Sequence, residues 1–275
     1  MLNQSSPIVI IGKNAKTGAR VNQLLRERGV NTRPVSRTTE IQFDWDNRNT
    51  WANALRGAKS AYVTYQPDLA IPRAADDITA FISVAKAEGI EHLVLLSGRG
   101  EEGAQTAEQI LINSGLTWNV VRASWFAQNF SESFMAEGIL SGELILPATN
   151  TPEPFIDVDD IAQVVVAALI EPTKHNCLFE VTGPELLTFQ DCVNEIAQQL
   201  GKAIKFTEIT IDEYLQMLKV QNVPISHQWL LNELFTVVFD GRNSRITDDV
   251  KLATGDAATK FSDYVAKTIA AGHWK

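Results

Sequence analysis

What this 275-residue chain has little of narrows its function before any motif is read. Cysteine occurs twice, at Cys177 and Cys192. Two are too few for a disulfide framework, and with no export signal they read as reduced thiols of a cytoplasmic protein. The first six residues carry neither the basic nor the long apolar region of a signal peptide. No run of about 18 apolar residues is present, so no membrane span is expected. Positive charge is in deficit, and a net charge of −9 opposes binding to a nucleic-acid backbone. The histidines His92, His175, His227 and His273 stand far apart in sequence. Only His175 has a cysteine nearby, Cys177, so no metal-ligand spacing results.

What is present is the composition of a soluble globular protein, 45% hydrophobic and 21% charged. The chain is long enough to bury a full core, as one large domain or a domain with a lobe. It opens with P-I-V-I-I-G-K-N-A-K-T-G over residues 7–18. The apolar run from Pro7 to Ile11 ends at Gly12. From Gly18 onward, Val21, Leu24, Leu25 and Arg28 fall at helical spacing. Strand, glycine turn, helix is an arrangement in which a phosphate rests on backbone N–H groups at a positive helix end. The glycines nearly spell a dinucleotide fingerprint, with Ala15 in place of the middle one. The pattern alone also fits an ordinary strand–turn–helix.

Further strands are expected over residues 31–36, 41–44, 60–64, 92–97 and 117–122, alternating with helices over 49–56, 73–88 and 104–114. Several strands are continuous apolar runs, as required when both faces are covered. This predicts an α/β fold with a Rossmann-type doubly wound parallel sheet. The second half reads differently. Strands are expected at 143–146, 178–181 and 204–207, with helices at 161–170, 188–200, 211–220, 228–239 and 256–271. Residues 1–130 and 155–182 are therefore assigned to a Rossmann NAD(P)-binding domain. Residues 131–154 and 183–275 are assigned to a smaller, mainly helical substrate-binding lobe, closing over the sheet's carboxyl edge, where ligands bind in open α/β sheets.

A dinucleotide site of the NAD type carries an acid about 20 residues past the glycine turn. Here Ser36, Arg37, Thr38 and Thr39 stand there instead. A guanidinium among hydroxyls suits a 2′-phosphate, and Lys13 and Lys16 add positive charge, so NADP(H) is favoured over NAD(H). The Y-x-x-x-K pair of the standard short-chain alcohol dehydrogenases is absent: Tyr62, Tyr65, Tyr214 and Tyr264 are followed four residues on by Gln66, Leu69, Leu218 and Thr268. Hydride transfer does not require that pair. The nicotinamide carries the hydride, and the protein orients it and excludes water. Iminium ions and cationic dyes need no acid, and quinones take their proton from water. Tyr65 is the one weak candidate proton donor, with a wall position beside cofactor or substrate as the alternative.

Several longer segments carry a family likeness: I-G-K-N-A-K-T-G at 11–18, L-V-L-L-S at 93–97, S-G-L-T-W-N-V-V-R-A-S-W-F-A-Q-N-F at 114–130, F-I-D-V-D-D-I-A at 155–162 and V-T-G-P-E-L-L-T at 181–188. In these the chain resembles the NmrA-like atypical short-chain dehydrogenase/reductase family over nearly its whole length, most of all the agroclavine dehydrogenase/festuclavine synthase-like branch. The resemblance implies that Gly12, Lys13, Asn14, Ala15, Lys16, Thr17 and Gly18 hold a pyrophosphate and that Ser36 and Arg37 meet the 2′-phosphate. It implies that Thr64, Tyr65 and Gln66 pass beside the cofactor and that Ser97 and Gly98 lie near the nicotinamide. Trp125, Phe126 and Asn129 would line the cofactor–substrate cleft. Ala104 stands where relatives of the isoflavone-reductase type carry a lysine, four residues before Glu108. The expected function is an NADP(H)-binding oxidoreductase that passes hydride to a small activated acceptor, iminium-, quinone- or dye-like. The alternative is a non-catalytic NADP-sensing regulatory protein of the same family. The expected partner is a small molecule, with no nucleic acid, membrane or metal; the oligomeric state is open.

Overall fold

A computed structural model describes residues 6–148 and 150–274. Residues 1–5 of the leader reading, and residues 149 and 275 of the expected lobe, lie outside the described residues. In chain order the strands are β1 (Ile8–Ile11), β2 (Thr32–Val35), β3 (Ser60–Val63), β4 (His92–Gly98), β5 (Thr117–Ala123), β6 (Glu143–Leu146), β7 (Cys177–Val181) and β8 (Lys205–Glu208). The first helices are α1 (Lys16–Glu27), α2 (Trp51–Leu55), α3 (Ala74–Ala87), α4 (Glu102–Ile112), α5 (Asn129–Glu132) and α6 (Ala136–Ser141). They are followed by α7 (Val158–Ile170), α8 (Phe189–Leu200), α9 (Ile211–Val220), α10 (Ile225–Glu233), α11 (Asp249–Thr254) and α12 (Phe261–Ala270).

The chain folds into two compact units. The first runs to Ala123 and adds Asp159–Glu180 and Asp249–Asp256; the second holds Ser124–Val158, Val181–Asp248 and the chain from Ala257. The first unit is built on a six-stranded sheet of order β2-β1-β3-β4-β5-β7, parallel throughout the pairings from β2 to β5. Ile10 of β1 pairs with Pro34 on one side and Tyr62 on the other. Pro34 has no N–H to donate, and β2 is accordingly an edge strand. Winding reverses at β1, since β2 lies to one side of it and β3 to the other. Open α/β sheets bind ligands outside the carboxyl ends of the strands at such a reversal.

Both faces of this sheet are covered, which is why its strands read as unbroken apolar runs. Val9, Ile11, Ala61, Val63, Leu93 and Leu95 point into one core with Ile78 and Phe81 of α3 and Ala107 and Leu111 of α4. The alternating residues Ile10, Tyr62, Val94 and Val120 are equally buried but lie outside that cluster, as do Val21 and Leu25 of α1 and Ile161 and Val165 of α7. The second unit has its own core, rich in aromatics, around Trp125, Phe130, Phe155, Phe189, Phe235 and Phe261. It contains a two-stranded parallel sheet of β6 and β8. Its helices α8 and α9 are stopped at their starts by capping boxes, Thr188 with Asp191 and Thr210 with Glu213.

Three sequence expectations differ from the structure. Residues 41–44 form no strand; Ser36 and Gln42 make only an isolated bridge. The segment is turned inward, with the Asp44 carbonyl accepting from the Trp51 indole at 2.7 Å and Phe43 and Trp45 buried. The sixth strand of the sheet is β7 instead. The last helix starts at Phe261 rather than at residue 256, and α11 lies before it. The helix expected over 228–239 is α10 followed by one π-type turn, Leu234–Val238. Among the described residues no helix is long and apolar enough to cross a membrane, and no group of three or more His, Cys, Asp or Glu side chains could hold a metal ion. Cys177 and Cys192 are free thiols.

Candidate cofactor and substrate site

The turn after β1 is fixed by close approach. Gly12 has φ +88°, and a Cβ there would stand 2.3 Å from Thr64 Oγ1. A Cβ on Gly18 would stand 2.2 Å from the Gly12 carbonyl oxygen. Only glycine fits at either position, so α1 starts hard against the strand it follows. The Gly12 and Lys13 N–H groups both donate to the Val35 carbonyl at 3.1 Å, and the Ala15 N–H donates to Gly12 O at 2.8 Å. Ala15 itself sits at φ −73°, ψ 151°, extended backbone that any residue adopts. The methyl in place of the middle glycine therefore costs no backbone strain. As the residue preceding α1, Ala15 supplies no side-chain cap, and the first turn of α1 holds no acidic residue. In α8 and α9 a threonine and an acid take that role. The first turn of α1 therefore offers no acid of its own to the positive dipole end. Lys13 and Asn14 are exposed, and Lys16 is half-buried.

At the end of β2, hydroxyls build a tight turn. Thr39 Oγ1 accepts from the Ser36 N–H at 2.8 Å and donates to the Ser36 carbonyl at 2.9 Å. Ser36 Oγ and Thr38 Oγ1 lie 3.2 Å apart. Arg37 and Thr38 are exposed in this turn, and Arg37 has no ion-pair partner among the described residues.

The segment after β3 is held from both sides. Thr64 Oγ1 donates to the Ile11 carbonyl at 3.0 Å, and the Trp45 indole donates to the Thr64 carbonyl at 2.9 Å. Tyr65 packs on Trp45 with ring centroids 4.7 Å apart. Its hydroxyl donates to Asp77 Oδ2 at 2.7 Å and accepts from Arg73 Nε at 3.1 Å. Burial, and then the Asp77 carboxylate, push the phenol up to about 12. A phenol so committed is a poor proton donor near neutral pH. Gln66 is exposed and precedes a cis Pro67.

At the end of β4, Ser97 is buried and its hydroxyl donates to Glu108 Oε1 at 2.5 Å. Glu108 is fully buried on α4 and is also ion-paired with Arg122 of β5. Arg122 reaches Glu180 at 3.3 Å, and Glu180 pairs with Arg99 at 2.9 Å. The Glu108 hydrogen bonds raise the Arg122 guanidinium pKa further. The sequence reading missed this chain of charges. Glu108, Arg122 and Glu180 each look like solitary charges in apolar segments, and only the adjacency of β4, β5 and β7 joins them.

The first unit thus gathers Gly12–Gly18, Ser36–Arg37, Thr64–Gln66 and Ser97–Gly98 at the carboxyl ends of β1, β2, β3 and β4. Trp125, Phe126 and Asn129 belong to the second unit. Trp125 is a buried member of its aromatic core, 5.4 Å from Phe189 and 5.3 Å from Phe235 by ring centroids. Phe126 is half-buried and bridges to Ile156. Asn129 is the half-buried first residue of α5.

Comparison with known proteins agrees with this architecture. The sequence model of the NmrA-like family matches residues 104–266. The agroclavine dehydrogenase of Claviceps fusiformis is 29% identical over 94% of this chain and 96% of its own. Among solved structures, a nucleoside-diphosphate-sugar epimerase from Staphylococcus aureus superposes with a TM-score of 0.82 at 16% identity, over 94% of this chain and 99% of its own. An NADPH-dependent quinone oxidoreductase from Escherichia coli, solved with NADPH, gives a TM-score of 0.77 at 17% identity, over 95% of this chain and 99% of its own.

Proposed function

Since the chain belongs to the NmrA-like family, we propose that it is an NADP(H)-dependent reductase acting on a small, activated organic acceptor. The observation that carries this reading is the tight turn at Gly12 and Gly18, where any side chain would strike Thr64 or the Gly12 carbonyl, so that the uncapped start of α1 follows directly on β1. The backbone at Lys16, Thr17 and Gly18 would hold the pyrophosphate, and Arg37 with the Ser36 and Thr38 hydroxyls would hold the 2′-phosphate. Thr64 ties β3 to the end of β1 and packs against Gly12, fixing the turn. Ser97, locked on Glu108, gives the nicotinamide end a rigid floor. The bound dinucleotide would supply a hydride.

The acceptor class follows from what the residues do not offer. No tyrosine here has a lysine four residues on, and the Tyr65 hydroxyl is tied to Asp77 and Arg73. An acceptor already activated as an iminium, a quinone or a cationic dye suits such a site. The agroclavine dehydrogenase and quinone oxidoreductase named above are consistent with this choice. Trp125, Phe126 and Asn129 are the residues of the second unit assigned to the acceptor.

Calorimetry with NADP, NADPH, NAD and NADH tests the cofactor reading. Arg37→Ala should weaken NADPH at least tenfold while leaving NADH nearly unchanged; equal losses would remove the 2′-phosphate assignment. Absorbance of NADPH with quinones, cyclic imines and cationic dyes tests the reaction. Tight binding with no turnover on any of them would make the chain a non-catalytic NADP-binding regulator.

A further inference from the structure

We infer that Asp77 is a positioning residue for the dinucleotide: through Tyr65, Arg48 and Arg73 it ties the loops after β2 and β3 to each other beside the glycine turn. The inference rests on the cofactor reading above and needs no particular acceptor. β2 and β3 are the two strands that flank β1. The loop after β3 starts against the turn that follows β1. The Thr64 hydroxyl donates to the Ile11 carbonyl at 3.0 Å, and its oxygen is the atom nearest to where a Gly12 Cβ would stand. Tyr65 is the next residue. Whatever holds Tyr65 therefore holds backbone one residue away from contact with the glycine turn.

Asp77 lies in the first turn of α3 and is buried. Its Oδ2 accepts from the Tyr65 hydroxyl at 2.7 Å and lies 3.4 Å from Arg73 Nε, and its Oδ1 accepts from Arg48 Nη2 at 2.7 Å. Arg48 belongs to the loop after β2, and its guanidinium also lies 5.6 Å above the Trp51 ring. Arg73, just before α3, pairs with Asp46 of that same loop. Trp45, next to Asp46, packs on Tyr65 and donates to the Thr64 carbonyl at 2.9 Å. One buried carboxylate thus draws donors from both loops and from the start of α3.

The cluster is a costly way to gain stability alone. Asp77 gives up its hydration, and its cationic partners stay half-exposed, where ion pairs contribute little. What the cluster supplies is a fixed conformation at Tyr65 before the cofactor arrives, so binding bears no cost of ordering that loop. Under the cofactor reading the glycine turn holds the pyrophosphate, which NADP(H) and NAD(H) have in common. Arg37 meets the 2′-phosphate that only NADP(H) carries. Loss of the Asp77 tie is therefore felt equally by both dinucleotides.

Tyr65→Phe keeps the ring on Trp45 and leaves Asp77 paired with Arg48 and Arg73, so folding is spared. Asp77→Asn keeps the volume and leaves two guanidiniums that water reaches. By calorimetry each variant should weaken NADPH and NADH by the same factor, about tenfold, the size of one lost hydrogen bond to a charged group. The double variant should lose little more than either single one, since both remove the same tie. At saturating NADPH, kcat and its pH dependence should be unchanged on an uncharged imine and on a cationic dye alike. Unchanged affinity in either variant, or a loss confined to NADPH, would overturn the proposal. So would a fall in kcat on the imine alone, which would make Tyr65 a proton donor. Failure of the parent protein to bind NADP, NADPH, NAD or NADH would instead remove the cofactor reading, and this proposal with it.

Discussion

His92 should make the first unit acid-sensitive, and the structure gives the size of the effect. It begins β4 at the amino edge of the sheet and is 4% exposed. Its Nε2 lies 2.9 Å from Asn119 Oδ1. The Asn119 amide is oriented by its own donors, with Nδ2 bonded to the Lys174 and Cys177 carbonyls at 2.7 and 3.0 Å. Its oxygen must therefore face His92, which fixes the Nε2–H tautomer of a neutral imidazole. The His175 ring lies 4.2 Å away by centroids. Burial first, and then the nearby His175, lower the His92 pKa to about 4. In the unfolded chain the pKa is about 6.5. The unfolded state thus binds the proton more readily. Stability from this site is complete above pH of about 6.5 and declines as pH falls toward about 4. At about 1.4 kcal/mol per pKa unit, the full loss is roughly 3 kcal/mol, with roughly 2 kcal/mol gone by pH 5. Denaturant unfolding of the parent and His92→Leu at pH 7.5 and 5 measures it. The parent should lose roughly 2 kcal/mol more than the variant between those pH values. Equal losses would refute the neutral, buried imidazole.

Gly18→Ala should abolish dinucleotide binding while the protein still folds less stably, because the added methyl would meet the Gly12 carbonyl at 2.2 Å; calorimetry beside thermal unfolding would show both, and retained affinity would refute the role given to this turn. Glu108→Gln should cost about 3 kcal/mol in denaturant unfolding, since it leaves Arg122 partly buried with only Glu180 at 3.3 Å. A loss under about 1 kcal/mol would mean that water already relieves that charge. Thr188→Ala should cost about 1 kcal/mol by removing the capping box of α8, an effect on unfolding that Asp191→Asn should share in part.

The sheet was legible because its signals are local. β1, β3, β4 and β5 are apolar runs closed by glycine or hydroxyl turns, and covering on both faces writes that composition into each strand. Residues 41–44 misled because alternation there, Ile41 and Phe43 against Gln42 and Asp44, imitates a half-buried strand. The apolar members instead join an aromatic cluster with Trp45, Trp51 and Phe81, a tertiary contact that no short window contains. β7 supplies the missing edge from far along the chain. The glycine turn and Arg37 were readable as a site for the same reason as the strands, being contiguous. The charge chain from Ser97 to Arg99 was not, because it joins residues of different strands and a helix and has meaning only in the sheet order.

Ala15 carries the remaining weight of the fingerprint, and its backbone separates two demands that a glycine there would satisfy together. Gly12 and Gly18 are needed by the protein itself, since a side chain at either would strike Thr64 or the Gly12 carbonyl. Ala15 is under no such demand: its φ is −73° and its N–H already bonds Gly12 O. A glycine in the middle of the turn would therefore serve the ligand alone, by letting the backbone come nearer to a pyrophosphate. An alanine there gives up some of that approach and lowers the entropy of the unfolded chain. Attraction must then come from charge rather than from contact. Under the function proposed above, Lys13, Lys16 and Arg37 would have to supply it, in a chain whose net charge is −9. Ala15→Gly should then tighten NADPH binding measured by calorimetry at some cost in stability, and unchanged affinity would refute this division of roles.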